Sequence, residues 1–262
     1  MTMKLTEVSK FLNFAKKLVN LSEQIIKKNS PDKLKINFKY DKSPVTKIDT
    51  EIEKKLRSHI KKQYPQHGIY GEEFANEKLS SPYVWVIDPI DGTRAFMSGM
   101  LHWGVLLALF DGENPIVGVL YQPYTDELFF GDGVIAGIQH GGQERPLKTA
   151  SLVELSAATT CTTGTQWLAP EQRAKYAALA AAAQLNCTGG DCYLFGLVAM
   201  GQMHIGLDGS LNPYDIQALI PIIRGAGGVI TTWDGGNPSM GGHVVASANA
   251  ALHRQVLEKL RS

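Results

Sequence analysis

Apolar residues recur at helical spacing through residues 4–28. Leu5, Val8, Leu12, Ala15, Val19 and Ile26 share one face with lysines between them, which predicts an amphipathic helix. Residues 30–48 carry Pro31 and Pro44 among many polar residues and are expected as a loop or short hairpin; the pattern does not decide whether 30–42 form a mobile lid. A second helix is predicted over 50–63, with Ile52, Leu56 and Ile60 on one face and Pro65 ending it. The character then changes to strands. Tyr83–Ile87, Trp103–Phe110, Ile116–Tyr121 and Glu127–Phe130 are short and rich in β-branched and aromatic residues, and Asp111-Gly112-Glu113-Asn114 is a good hairpin connection. An antiparallel sheet covered by the two N-terminal helices is expected.

Beyond residue 150 the pattern alternates. Helices are predicted at 171–184, 191–201, 215–226 and 249–260, and strands at Met203–Leu207, Val229–Thr232 and Val244–Ala246. Gly227-Gly228 ends the third of these helices. Alternation of this kind argues for an α/β half. The Gly/Gln-rich stretch 137–146 marks the expected boundary between a part at 1–140 and a part at 141–262.

Composition narrows the function classes. A chain of 262 residues, 44% hydrophobic and 19% charged, can bury a sizeable core. The net charge of +1 argues against a general nucleic-acid binder, but it is unevenly spread. Residues 1–64 hold 16 Lys/Arg against 7 Asp/Glu, and the remainder 10 against 18. A basic N-terminal face leaves open a non-catalytic RNA-associated role, while a solvated helix surface explains the same charge. The acidic remainder suits a site that gathers divalent cations. Cys161, Cys187 and Cys192 form no regular framework, which fits a reducing compartment. No apolar run approaches the ~18 residues a bilayer span needs. The N-terminus lacks an apolar signal core, so a cytoplasmic protein is expected.

The strongest chemical signal is Trp85-Val86-Ile87-Asp88-Pro89-Ile90-Asp91-Gly92-Thr93. A hydrophobic strand runs into two carboxylates three residues apart, Pro89 stiffens the link, and Gly92 permits a tight turn. Such a turn can aim both side chains and the Ile90 carbonyl at one point, as hard cations such as magnesium require. The backbone N–H groups of Gly92 and Thr93 are then placed to meet a phosphate. Alone, the segment also reads as a plain Asp-rich turn. Further acidic clusters lie at element ends: Gly71-Glu72-Glu73, Ser43-Pro44-Val45-Thr46 with Asp49, and Asn212-Pro213-Tyr214-Asp215. Each has a bland explanation, a surface pair or a helix cap, with Thr46 or Asp49 capping the second helix and Asp215 the later one. Their combination is more specific than any part. No Gly-x-x-x-x-Gly-Lys loop is present, so a P-loop nucleotide hydrolase is excluded. Cys187 and Cys192 have no second pair for zinc. Cys192 reads as a small core residue, and His102, His140, His204 and His243 as structural.

Taken together, these motifs with Gly225-Ala226-Gly227-Gly228 resemble the inositol monophosphatase family over nearly the whole chain. The resemblance implies a layered αβαβα sandwich of the sugar-phosphatase type, an α+β / α/β fold. It implies a lithium-sensitive, Mg2+-dependent phosphomonoesterase with two or three ions per site, acting as a homodimer on a small phosphorylated metabolite, with neither nucleic acid nor membrane as partner. It further implies that Glu72, Asp88, Asp91, Asp215 and the Ile90 carbonyl bind metal, that Asp49, Glu72 and Thr93 are catalytic, with Asp49 and Thr93 orienting the attacking water, and that Gly92 and Thr93 hold the phosphate.

Within that family the chain looks closest to the histidinol-phosphate phosphatases. Gly92-Thr93-Arg94-Ala95-Phe96-Met97-Ser98-Gly99, Gly190-Asp191-Cys192-Tyr193 and Asn212-Pro213-Tyr214-Asp215 with Ala218-Leu219-Ile220-Pro221 resemble that branch, which usually has Lys where Arg94 stands. Asp191 falls where the inositol branch carries a small neutral residue, and Asp208 where it carries an acid that meets a substrate hydroxyl. Asp191 also reads as a helix N-cap, and the two roles are compatible. Arg94, Asp191 and Asp208 are therefore expected to contact substrate. An extra carboxylate suits the amine and imidazole of histidinol phosphate better than a polyol. Inositol 1-phosphate and a 3′-phosphoadenosine phosphate remain the alternatives.

Overall fold

The computed structural model describes residues 5–28, 36–38 and 44–261. Residues 30–42, raised as a lid, lie outside the described residues except for Ile36–Phe38.

The chain opens with helix α1 (Leu5–Lys28), a short antiparallel pair β1 (Ile36–Phe38) and β2 (Pro44–Thr46), and helix α2 (Lys47–Gln63). Next come β3 (Gly68–Gly71), β4 (Val84–Asp91), the short helix α3 (Thr93–Met97), β5 (Gly104–Phe110), β6 (Pro115–Gln122), β7 (Glu127–Gly131), β8 (Ala136–His140) and β9 (Gln143–Pro146). These seven strands form one sheet in sequence order. The antiparallel sheet expected from the strand pattern is in fact mixed. Edge strand β3 runs parallel to β4, because the connection over 72–83 carries the chain back to the starting end of the sheet. The stretch 137–146 folds as the β8–β9 pair on the opposite edge.

The second half contains β10 (Thr159–Thr162), α4 (Pro170–Ala182), β11 (Leu185–Thr188), α5 (Asp191–Ala199), β12 (Ile205–Leu211), α6 (Pro213–Ile216), α7 (Leu219–Gly225), β13 (Val229–Thr232), β14 (Gly242–Ser247) and α8 (Ala250–Arg261). Its sheet is ordered β11-β10-β12-β14-β13, parallel across β11-β10-β12 and antiparallel beyond. The helix predicted over 171–184 ends at Ala182, and the residues after it form edge strand β11. The single helix predicted over 215–226 is two, α6 and α7. Pro221 has no N–H for the carbonyl four residues back, so the ladder breaks near Gln217.

Alternating side chains sort the core into layers. On β4, Trp85 and Ile87 pack with α1 and α2, while Val84 and Val86 face α5 and α7. Cys161, Val244 and Ala246 of the smaller sheet close that central layer from the other side. Ile205, Leu207 and Val245 face outward onto α4 and α8. The result is five layers: helices, sheet, helices, sheet, helices. This is the αβαβα sandwich read from the sequence.

One irregularity positions the chemistry. Asp88 pairs with Leu106 and Asp91 with Gly104, so three steps on β4 oppose two on β5. Side chains three apart on a regular strand point to opposite faces; the extra residue returns Asp91 to the side of Asp88.

Candidate active site

Every residue expected at the site except Asp49 lines one cavity of about 600 Å³. Glu72, Asp88, Ile90, Asp91, Gly92, Thr93, Arg94, Asp191, Asp208 and Asp215 all contribute to its wall. Asp49 lies beneath, fully buried at the start of α2 and close enough to Glu72 to feel its charge.

Asp88, Asp91 and Asp215 each bring a carboxylate oxygen within 4.8 Å of the others. Asp88 and Asp91 come from the bulged end of β4, and Asp215 from the first turn of α6. Asn212 caps α6, and Asp215 Oδ2 accepts from the Asn212 backbone N–H at 2.6 Å, closing a capping box. Asp215 is thus the third helical residue, not the N-cap. Burial drives the Asp88 carboxyl well up, and the nearby charges of Glu72, Asp91 and Asp215 push it further. Burial, Asp215 and Asp191 act likewise on Asp91. Burial is the main cause that brings Asp215 to about 7, with Glu72 adding to it. A cluster of oxygen donors that repel one another fits a hard divalent cation, whose charge offsets both desolvation and repulsion.

Thr46 is the N-cap of α2, and Asp49 occupies the third helical position, again as a capping box. Asp49 Oδ2 accepts from the Thr46 backbone at 2.9 Å and from the Thr46 hydroxyl. Its other oxygen, Oδ1, is buried with no hydrogen-bond partner among the described residues. Burial pushes Asp49 up to about 6. The Thr93 hydroxyl donates to the Ile90 carbonyl at 3.1 Å rather than to Asp49. Gly92 precedes α3 at φ 84°, the left-handed region, and a side chain there would collide with Asp191. The first N–H groups of a helix lack intrahelical partners, so this turn presents donors to the cavity.

The far end of the cavity is built differently. Asp208 is buried on β12; Oδ1 accepts from the Thr162 hydroxyl at 2.9 Å and the Thr163 N–H at 3.0 Å, and Oδ2 from the Thr163 hydroxyl at 2.5 Å. Burial still brings it to about 7. Gly190, not Asp191, is the N-cap of α5, which leaves the Asp191 carboxylate facing the cavity. The Cys192 N–H of the same turn donates to Asp91 Oδ2 at 2.6 Å and ties the two ends together. Arg94 is exposed, with its guanidinium 4.2 Å from the Trp167 ring centre.

Two arrangements escaped the sequence reading. His102, taken as structural, lines the cavity and lies with Nδ1 2.6 Å from Asp191 Oδ2. Its only signal is its place at an element end, just before β5. The second is the buried pair Glu53–Arg57, 2.7 Å apart on α2. Glu53 accepts from the backbone N–H groups of Glu73 (2.8 Å) and Phe74 (3.3 Å), while Arg57 donates to the carbonyls of Phe74 and Ala75, both at 3.1 Å. The pair therefore holds the turn that presents Glu72. Gly71 is required there, since a Cβ would lie 2.1 Å from Glu53 Oε1. The available signal was charge at i and i+4 beside the apolar stripe of α2.

Known proteins resemble this chain along nearly its whole length. The sequence model described as the inositol monophosphatase family matches residues 7–262. A bifunctional phosphatase from Arabidopsis thaliana is 34% identical, covering 97% of this chain and 76% of its own length. A histidinol-phosphatase from Mycobacterium tuberculosis is 32% identical over 87% of this chain and 89% of its own. Among solved structures, an inositol monophosphatase from Zymomonas mobilis superposes with a TM-score of 0.86 at 29% identity, covering 99% of this chain and all (100%) of that one.

Proposed function

Since the chain belongs to the inositol monophosphatase family, and is by that membership a phosphoric monoester hydrolase acting on small phosphorylated compounds, we propose that it hydrolyses L-histidinol phosphate with Mg2+ as its cofactor. The observation that carries the substrate class is Asp191: a carboxylate on the cavity wall beside Asp91 and Gly92, where an ammonium group of a bound ester can meet it. The relatives named histidinol-phosphatase, at up to 32% identity, support the same reading.

Glu72, Asp88, Asp91, Asp215 and the Ile90 carbonyl would hold two or three Mg2+ ions. Such ions would make bound water more acidic and offset charge on the phosphoryl group. The rest falls to side chains. The Gly92 and Thr93 N–H groups hold phosphate oxygens at the turn before α3. Asp49 Oδ1, buried and unpartnered, accepts from the attacking water. The Thr93 hydroxyl rotates freely and joins it once released from the Ile90 carbonyl. Arg94 and Asp208 border the leaving group, Arg94 on the Trp167 side and Asp208 from its threonine cradle. In the proposed division of labour, residues 1–140 carry most of the metal-binding motifs, and 141–262 complete the active site, Asp215 included. A homodimer inhibited by millimolar lithium belongs to the same proposal and rests on the resemblance alone; a cytoplasmic location rests on the sequence pattern of the N-terminus. Among the described residues no helix is long and apolar enough to cross a membrane.

The second reading is inositol 1-phosphate, which relatives named inositol-1-monophosphatase at 30% identity favour. A cyclitol offers Asp191 no cation. Phosphate release with Mg2+ decides between the two. A preference of about 100-fold for histidinol phosphate, equivalent to ~2.7 kcal/mol of transition-state binding, is expected; a preference for inositol 1-phosphate would reject the amine-ester reading and keep the metal chemistry.

A further inference from the structure

We propose that His102 is the positioning residue that makes this pocket selective for an ammonium-bearing phosphate ester. The inference rests on the substrate reading above and adds a residue to it.

His102 and Asp191 come from different halves of the sandwich. His102 lies on the loop that leads from α3 into β5, and Asp191 is the first residue of α5. They meet across the cavity, Nδ1 to Oδ2, at 2.6 Å. An ionised carboxylate only accepts, so the imidazole must donate from Nδ1 in either protonation state. Met100 Sδ lies 3.2 Å from the other ring nitrogen, within the same loop.

Asp191 needs such a partner for three reasons. Its backbone sits at φ 39°, left-handed and unfavourable for a non-glycine residue. Its side chain packs on Gly92, with Oδ2 only 2.9 Å from where a Cβ would stand, so its freedom on that side is limited. Among the described residues, its carboxylate makes no hydrogen bond other than that to His102. One donor on Oδ2 therefore fixes the rotamer and leaves Oδ1 as the acceptor that faces a ligand. The donor must also not cancel the charge that selects the ligand. A Lys or Arg in place of His102 would satisfy Oδ2 and bring a permanent cation to compete with the substrate amine. Arg94 already lowers the charge imbalance near Asp191, but its guanidinium is held over Trp167. Imidazole supplies the hydrogen bond at the least charge.

The test compares L-histidinol phosphate with the same ester carrying a hydroxyl in place of the amine, measuring kcat and KM with saturating Mg2+ on the whole protein. For the unaltered chain the amine ester should win clearly. His102→Leu should cut that selectivity ratio about tenfold, with the change in KM of the amine ester rather than in kcat. His102→Asn, which keeps a donor near the Nδ1 position, should hold the ratio within about threefold. His102→Lys should abolish it while preserving the melting temperature. An unchanged ratio in both the Leu and Lys variants overturns the role of His102 and leaves the substrate reading intact. No amine preference in the unaltered chain overturns the substrate reading first, and this inference with it. Should the Leu variant not fold, the Asn and Lys pair carries the comparison alone.

Discussion

The two ends of the cavity bury carboxylates in opposite ways. Asp208 is surrounded by donors: two threonine hydroxyls and a backbone N–H reach its oxygens. Asp88, Asp91 and Asp215 face one another instead. Asp208 and Asp215 nevertheless both lie at about 7. At Asp208 desolvation is the main cause, with a smaller push from the charge of Asp191, against three opposing donors. At Asp215 desolvation is joined by like charges. A shifted pKa is therefore not by itself the mark of a cation site; what matters is whether the cause is one that a cation removes.

The sharpest way to break this contrast is Asp88→Asn. If the cluster holds the reactive cations, kcat/KM should fall by about 1000-fold, or ~4 kcal/mol. In a chelator the variant should melt no lower than the unaltered chain, because one repelling charge has gone. Near-normal turnover at saturating Mg2+ would remove the cluster from the mechanism.

Stability against pH sharpens the comparison. The folded state binds protons on these raised carboxyls more tightly than the unfolded chain does. Their contribution is complete below the ordinary carboxylate range and is lost as pH rises through about 7, the value for Asp208 and Asp215. In a chelator, unfolding free energy should therefore decline from pH ~4 to ~7 through these groups. Mg2+ at about 100 times its Kd should restore ~2.7 kcal/mol above pH 7. Asp208→Asn should leave that gain in place. Superimposable melting curves with and without Mg2+ would show that the cluster binds no cation.

The smallest effect tests the donor-rich end. Thr163→Val removes one hydroxyl from Asp208 and should cost about 1 kcal/mol of stability. The Mg2+-dependent gain should not change. A reduced gain would mean that the two ends are coupled, through α5 and the Cys192–Asp91 bond.

The parts of this molecule legible in its sequence are those whose causes are local. α1, α2, α8 and the central strands carry their own periodicity, and the Asp88–Thr93 segment carries its own turn chemistry. Edge strands β9 and β11 escaped because edges are half solvated. All four residues of β11 are exposed, so no apolar alternation marks it. The α6–α7 break hid within a continuous apolar run. The carboxylates of the site were readable as a set, but their partners were not. Glu53 and Arg57 resemble an ordinary i,i+4 surface pair until α2 is laid on the 71–77 turn. His102 and Asp191 are 89 positions apart. Nothing short of the folded chain puts them in contact.

The bulge in β4 also sets a rule for protein engineering. Transplanting Asp88 and Asp91 onto another scaffold by copying residue types into a regular strand would send one carboxylate toward the helical layer and the other away from it. What has to be transferred is an odd count: three steps on one strand against two on its neighbour. Conversely, adding one residue to β5 between Gly104 and Leu106 would restore three steps against three and part the two carboxylates without altering either aspartate.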